Sequence, residues 1–276
     1  LEFRRVLFRS TRPETGEVIS KTVKAKDLFN LLCEQNWNYA EPGILFWDRI
    51  EQENMLNTHP DFEYAGTNPC AEEPLPAGGS CLLGSLNLAA FVVNGEFQWK
   101  EFERAVDVAV RALNDVLDEG LYRHPLQEQR DSVRDWRQIG LGIMGLADAL
   151  IKMQITYGSK AALTISDEIG TLLARTAIAT SSKLAAEHGT PYPKYIPEVI
   201  NSSFIQRHYT PNGLAINGFK SAGLYNSQLL TIAPTGTLST MLGISGGIEP
   251  IFANYYTRTT KSLHGKDVTY KVYTPI

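Results

Sequence analysis

The segment Asn68-Pro69-Cys70-Ala71-Glu72 places an amide, a thiol and a carboxylate at alternate positions. Side chains alternate with period two in extended backbone, so an extended loop would point Asn68, Cys70 and Glu72 to the same side. The three groups would then converge on one small substrate. No histidine lies nearby, which disfavours the arrangement of a cysteine protease. An Asn-Pro turn followed by a loop cysteine also occurs as a purely structural feature, so the pattern alone leaves both interpretations open.

The other cysteines and the histidines do not form a recognisable metal motif. Cys70 and Cys81 lack the close CxxC spacing of most zinc sites and of thioredoxin-like motifs. The five histidines are scattered, with no pair at metal-ligand spacing. The sequence therefore predicts no metal site. The histidines are His59, His124, His188, His208 and His264.

A second candidate is the run Pro234-Thr235-Gly236-Thr237-Leu238. It follows a short apolar segment and precedes a helix-like start, so its backbone N–H groups and hydroxyls could bind an anion. The run lacks the Gly-Lys-Ser/Thr of a P-loop and is not a standard mononucleotide site. A plain Ser/Thr helix cap explains the pattern equally well.

The elements around these segments are predicted from periodicity and turn residues. Residues 67–92 contain three prolines and a Gly-Gly pair, which indicates a constrained loop leading into an apolar segment from Cys81 to Val93. Residues 227–243 predict a short buried strand, a turn and a new helix. Helical patterns cover residues 25–40, with Cys33 in the buried stripe, and residues 102–121, 139–153 and 166–188. In the second of these, Val116 belongs to the predicted apolar repeat, and in the third, Gly140 and Gly142 would let a neighbouring segment approach closely. The fourth opens with Ser166 as N-cap and ends at Gly189.

Composition limits the class of protein. The 276 residues are 43% hydrophobic and 20% charged, with a formal net charge of -4, which is typical of a globular α/β protein. Near-neutral charge disfavours nucleic-acid binding, and no apolar run is long enough to span a bilayer. Three cysteines indicate a reducing compartment, and we expect a cytoplasmic protein.

Both ends of the sequence suggest a piece of a longer protein. Residues 1–10 carry three arginines and no capping or turn signal, and we interpret them as a non-native cloning scar. The last nine residues stop within a strand-like alternation. The domain proposed from the sequence is therefore 11–276, truncated at both ends.

Three segments together resemble the catalytic, large subunit of ribonucleotide reductase. They are residues 67–92, RQIGLGIMGLADAL at 137–150 and LYNSQLLTIAPTGTLSTMLGISGGIEP at 224–250. Their order and spacing agree with that family over residues 20–276. The resemblance implies part of a ten-stranded α/β barrel with a central finger loop, and reduction of ribonucleoside diphosphates to deoxyribonucleoside diphosphates for DNA synthesis.

The resemblance also implies roles for the residues. Cys70 would be the thiyl-radical residue, Asn68 and Glu72 its polar neighbours, and Cys81 one half of a redox-active dithiol. The partner of Cys81 would lie on an N-terminal strand outside this sequence. Pro234, Thr235, Gly236, Thr237 and Leu238 would bind the substrate phosphates. Glu72 suits general-base work on the 3'-hydroxyl, and the Asn68 amide suits binding of the sugar hydroxyls.

The short gap between Cys70 and Cys81 resembles the gap in family members that use adenosylcobalamin as the radical source. Other members of the family use a metal-containing small subunit instead. The resemblance further implies ATP and dNTP effector sites outside the sequence, thioredoxin or glutaredoxin as reductant, a homodimer, and no activity for this piece alone. Two alternatives stay open: a glycyl-radical enzyme on the same barrel, and a non-catalytic phosphate- or nucleotide-binding module.

Overall fold

The fold is taken from a computed structural model that describes residues 4–209, 222–260 and 265–274. The chain divides into two units, residues 1–47 and 48–276. In the first unit, β1 (Arg5–Thr11) and β2 (Val18–Lys24) form an antiparallel hairpin with Arg5 opposite Lys24. The helix α1 (Ala25–Tyr39) follows directly and confirms the helix predicted over residues 25–40.

The apolar stripe predicted for α1 is wrong. Ala25 is the buried residue of this helix, whereas Leu28, Phe29 and Leu31 are exposed. Cys33 is exposed too, so it is not the buried core thiol that the sequence predicted. The reason is the small size of this unit, because a single two-stranded hairpin cannot cover the whole apolar side of a 15-residue helix.

The chain continues through short strands and helices before the core of the second unit. In order they are α2 (Trp47–Glu53), β3 (Gly66–Thr67), β4 (Pro74–Leu75), β5 (Leu83–Asn87), a 3-10 turn (Leu88–Phe91), β6 (Val92–Val93), β7 (Glu96–Phe97), α3 (Trp99–Leu121) and α4 (Gln127–Trp136). Then come β8 (Gly140–Met144), α5 (Leu146–Lys152), α6 (Lys160–His188), a 3-10 turn (Pro197–Asn201), α7 (Ser203–Tyr209), α8 (Gly236–Leu242), β9 (Tyr255–Thr260) and β10 (Val268–Tyr273).

Parallel strands form the centre of the second unit. β5 pairs with β8 from Leu83–Gly140 to Asn87–Met144, and Leu230 bridges to Leu141 on the other side of β8. The helix predicted over 139–153 is therefore wrong in its first half, which is a buried strand, and right for α5. Strands covered on both faces are continuously apolar, and this periodicity does not distinguish them from a buried helix.

The glycines of β8 allow the segment 228–231 to approach closely, as the sequence predicted for them. A Cβ at Gly142 would lie 2.0 Å from the Thr231 carbonyl oxygen, and a Cβ at Gly140 would lie 2.6 Å from Thr231 Cγ2. Backbone hydrogen bonds join the two segments: the Leu141 N–H donates to the Leu229 carbonyl at 2.8 Å, and the Thr231 N–H donates to the Leu141 carbonyl at 3.1 Å. This contact holds the segment that carries the second candidate site.

Two long helices, α3 and α6, pack against each other and supply much of the core. α3 confirms the predicted helix over 102–121, but Val116 is exposed and its predicted place is taken by Val110 and Leu117. α6 begins six residues earlier than predicted because Ser159, not Ser166, caps it: Ser159 Oγ accepts from the Ala162 N–H at 3.1 Å. Gly189 ends it, as predicted.

The C-terminal elements agree with the predictions from sequence in part. The strand predicted within residues 227–235 is reduced to an isolated bridge at Leu230, whereas the helix predicted after it is confirmed as α8. β10 lies within the strand-like alternation of the last nine residues and pairs with β9; residues 275–276 lie outside the described residues. The described residues are mixed α/β, and their strands pair as five separate two-stranded sheets, so no barrel closes among them. In the same residues, no helix is long and apolar enough to cross a membrane.

Candidate active site

The segment from Asn68 to Glu73 is a tight loop that joins β3 to β4. The Ala71 N–H donates to the Asn68 carbonyl at 2.9 Å, and the Glu73 N–H donates to Asn68 Oδ1 at 3.0 Å. Ala71 has a φ of 66°, in the left-handed region. The extended conformation predicted for residues 68–72 is therefore wrong: the Asn-Pro pair starts a turn, and the Asn68 side chain closes it. Cys70 lies in this turn and is exposed.

Polar side chains of the parallel core anchor the second half of the loop. Thr231 Oγ1 donates to the Glu72 carbonyl at 2.7 Å, and Gln228 Nε2 donates to the Pro74 carbonyl at 3.0 Å. Gln138 Nε2 in turn donates to Gln228 Oε1 at 2.9 Å. The sequence analysis did not identify these positioning residues. They could have been identified as polar residues within buried apolar segments, because a buried polar side chain needs a hydrogen-bond partner inside the protein.

Cys81 meets the loop at its acidic end. The Glu73 and Glu72 carboxylates and the Cys70 thiol lie close enough to act on its thiol. The structure thus brings together three of the predicted residues, Cys70, Glu72 and Cys81, and adds Glu73. Asn68 belongs to the same loop, but its amide oxygen is used to close the turn.

The electrostatics of this cluster favour the neutral forms of Cys81 and Glu73. Burial of the thiol, the hydrogen bond to Glu73 and the negative charges of Glu73 and Glu72 raise the pKa of Cys81 to about 12. Burial also raises the pKa of Glu73, and the charge of Glu72 acts in the same direction, against the hydrogen bond from Cys81. Glu72 Oε2 is buried and has no hydrogen-bond partner among the described residues. A buried carboxylate oxygen in this state is a ready acceptor for a ligand hydroxyl.

The second candidate, Pro234 to Leu238, is a more open structure. Thr235 has a φ of 50° and precedes α8, but its hydroxyl does not cap that helix. Instead Thr235 Oγ1 accepts from the Gly247 N–H at 3.0 Å. Gly236, Thr237 and Leu238 are exposed, and a Cβ at Gly236 would meet nothing within 4 Å. The interpretation as a side-chain cap is therefore wrong, and the exposed residues remain able to contact a ligand.

The two candidate segments line different cavities. Asn68, Gly79 and Cys81 line one of 690 Å³, which His124 also borders. Pro234 and Gly236 line another, of 520 Å³. Among the described residues, no group of three His, Cys, Asp or Glu side chains could hold a metal ion.

Comparison with known proteins decides the family. The model of the family described as ribonucleotide reductase, barrel domain, matches residues 8–274. The chain belongs to this family. The resemblance stated from three sequence motifs is thereby confirmed, and the loop and turn described above are two of those motifs.

Individual relatives of this domain include reductases named vitamin B12-dependent and others that are not. The chain is 34% identical over 258 residues to a vitamin B12-dependent ribonucleoside-diphosphate reductase of Mycobacterium tuberculosis, covering 94% of this chain and 34% of the relative. It is 35% identical over 247 residues to the protein of the same name in Thermoplasma acidophilum, covering 89% of this chain and 29% of the relative. A ribonucleoside-diphosphate reductase subunit alpha of Chlamydia pneumoniae is 28% identical, over 95% and 27% of the two chains. The chain spans about a third of these relatives.

Proposed function

We propose that the protein containing this chain reduces ribonucleoside diphosphates to deoxyribonucleoside diphosphates by a thiyl-radical mechanism. One observation carries the proposal: the loop of Asn68 to Glu73 gathers Cys70, Glu72 and Cys81, and it leaves the buried Glu72 Oε2 without a partner. The relatives are named for the same reaction. The described strands would then be part of a ten-stranded barrel with this loop as its finger.

The residue chemistry suits each step at the sugar. A Cys70 thiyl radical would take the 3'-hydrogen atom, which is reversible because the S–H and activated C–H bonds are close in strength. Glu72 would accept the 3'-hydroxyl proton through the oxygen that lacks a partner, which is general-base work. The Asn68 amide nitrogen would contact a sugar hydroxyl. Loss of the 2'-hydroxyl as water becomes easier once the neighbouring carbon is a radical.

The reducing equivalents would come from a dithiol that includes Cys81. In the net reaction one ribonucleoside diphosphate and two thiols give one deoxyribonucleoside diphosphate, one disulfide and one water. Cys81 is exposed, so an external dithiol of the thioredoxin or glutaredoxin class could reach the disulfide. None of the three cysteines is in a disulfide in this chain, which fits a reducing compartment, the cytoplasm.

The phosphates would bind at Pro234 to Leu238, where Gly236 and Thr237 are exposed at the start of α8. We assign the 520 Å³ cavity beside this turn to that part of the substrate. Effector sites for ATP and dNTPs and a homodimer contact would lie outside this sequence.

We propose adenosylcobalamin as the radical source because two relatives are named vitamin B12-dependent. The exposed Cys70 thiol fits such a source, since a radical generator can approach it from outside the loop. When bound, this cofactor supplies a carbon-centred radical that can remove a thiol hydrogen. Cys70 is the residue that would meet it.

The test uses the native full-length protein with a ribonucleoside diphosphate, dithiothreitol and either adenosylcobalamin or a metal-containing small subunit. We expect deoxynucleotide with adenosylcobalamin and none without a radical source. Activity only with the small subunit would correct the cofactor assignment. Nucleotide binding without deoxynucleotide under every condition would support the non-catalytic module instead.

A further inference from the structure

A hydrogen bond to the backbone of Glu72 joins this acid to the parallel core. Thr231 Oγ1 donates to the Glu72 carbonyl at 2.7 Å, and in the described part of the chain this is the hydrogen bond that ties Glu72 to a segment outside its loop. The bonds from the Ala71 and Glu73 N–H groups to Asn68 stay within the loop. Glu72 Oε2 is buried and has no partner among the described residues, so the placement of the carboxylate depends on its backbone.

Thr231 is itself held against β8. It is buried, and its backbone N–H donates to the Leu141 carbonyl at 3.1 Å. A Cβ at Gly140 would lie 2.6 Å from Thr231 Cγ2, so the methyl group packs against bare backbone at this position. A β-branched side chain has few rotamers, and a methyl group packed in this way fixes the direction of the hydroxyl. The donor that reaches Glu72 therefore has a defined position.

We propose that Thr231 is a positioning residue: its hydroxyl fixes the Glu72 backbone so that the carboxylate meets the 3'-hydroxyl of a nucleotide bound by its phosphates at the turn. The inference rests on the proposed function, in which Glu72 is the base. Thr231 lies three residues before Pro234, in a segment where Leu229 and Ala233 are also buried. One segment thus supports both the base and the phosphate turn, and it keeps their spacing constant for a nucleotide that reaches from one to the other.

Two substitutions at this position separate positioning from packing. Thr231→Val keeps the branched shape but leaves the Glu72 carbonyl without its donor, whereas Thr231→Ser keeps the donor and loses the methyl group that faces Gly140. A packing role predicts that serine is the more harmful change, and the positioning role predicts that valine is. In both variants Gln228 Nε2 still donates to the Pro74 carbonyl, so the far end of the loop stays anchored.

The first measurement is steady-state turnover of a ribonucleoside diphosphate by the native full-length protein, with dithiothreitol and the radical source that supports the wild type. We expect Thr231→Val to lower kcat by about ten- to a hundredfold, with KM within about twofold of wild type, because a small misplacement of a reacting group costs rate rather than affinity. Thr231→Ser should keep kcat within about threefold of wild type.

Thr180→Val is the matched control. Thr180 Oγ1 also donates a hydrogen bond of 2.7 Å, to Asp107 Oδ1, but this bond joins α6 to α3. Its loss should lower the melting temperature and leave kcat close to wild type. The control thus shows what the loss of a buried threonine hydroxyl does when it does not support the loop.

Hydrogen exchange measured by mass spectrometry gives a second readout that needs no turnover. The peptide that contains the Ala71 and Glu73 N–H groups should exchange faster in Thr231→Val than in wild type or Thr231→Ser, while peptides from α6 stay unchanged. If the wild type forms no deoxynucleotide, the proposed function fails, and this exchange still decides whether the hydroxyl fixes the loop. Unchanged exchange of the loop in Thr231→Val would overturn the proposal, as would a kcat of Thr231→Ser as low as that of Thr231→Val or a loss confined to KM.

Discussion

The loop of Asn68 to Glu73 and the turn of Pro234 to Leu238 differ in what their side chains are used for. In the loop, the backbone carries the hydrogen bonds to the core, and the reactive groups Cys70 and Glu72 keep unpartnered or exposed atoms. In the turn, the buried side chain Thr235 is already used to bind the Gly247 N–H, and the remaining contacts can come from exposed residues. Under the proposed function, this difference assigns the chemistry to the loop and the affinity for the phosphates to the turn.

After the loss of Cys70 itself, the largest effect is expected for Cys81→Ser, which would separate hydrogen abstraction from the reduction that follows it. A serine cannot form the disulfide, so the variant should still abstract the 3'-hydrogen but should not turn over repeatedly, however much thioredoxin is supplied. The measurement counts deoxynucleotide per enzyme over time, with Cys33→Ser as the matched control on the exposed face of α1. Many turnovers by Cys81→Ser would make Cys81 a packing residue.

Glu72→Gln should come next, because it removes the base but keeps the shape of the loop. We expect kcat to fall roughly a hundred- to ten-thousand-fold while KM changes little. The steady-state rate at saturating nucleotide is the readout, and Glu63→Gln is the control for charge. A large rise in KM with unchanged kcat would instead place Glu72 in substrate binding.

The loop and the turn both depend on the contact between β8 and Thr231, and Gly142→Ala tests that shared support. Its Cβ would lie 2.0 Å from the Thr231 carbonyl oxygen, so the backbone must shift. We expect this shift to lower the free energy of unfolding by about 3 kcal/mol or more relative to wild type. Chemical denaturation measures this loss. Gly170→Ala is the control: it lies inside α6, its Cβ would meet nothing within 4 Å, and we expect roughly 0.5–1 kcal/mol of added stability. Similar losses in the two variants would contradict the close approach.

The smallest effects should divide the turn between stability and affinity. Thr237→Ala should weaken diphosphate binding by about 1.5–3 kcal/mol, the range for a hydrogen bond to a charged group, with little change in melting temperature. Thr235→Ala should leave the Gly247 N–H unpaired and lower stability by about 1–3 kcal/mol, with a smaller effect on binding. Calorimetric titration and a melting curve for each variant give both quantities, and the reverse pattern would assign the phosphate contact to Thr235.

Sequence reasoning was most successful where a local rule decides the structure. α3 and the end of α6 at Gly189 follow from helical period and a left-handed cap. The strand β8 was mistaken for a helix because its apolar run is short and covered on both faces. The close approach at Gly140 and Gly142 was nevertheless predicted, since small residues allow it in either structure.

The proximity of the candidate residues was predictable from the sequence, but the conformation of the loop was not. The motif order identified Cys70, Glu72 and Cys81, whereas the turn that joins them depends on a hydrogen bond between Asn68 Oδ1 and the Glu73 N–H. The burial of Glu73 was missed because it depends on contacts with another segment of the chain. A sequence with two adjacent glutamates gives no sign of which one will be buried.

The central claim is that the Cys70 thiol starts the reaction, and Cys70→Ser in the native full-length protein tests it most directly. With a ribonucleoside diphosphate, dithiothreitol and the radical source that supports the wild type, we expect no deoxynucleotide from Cys70→Ser, because a hydroxyl does not readily form or exchange a radical. Its melting temperature and nucleotide affinity should match wild type, since Cys70 is exposed. Substantial deoxynucleotide formation by Cys70→Ser would contradict the account.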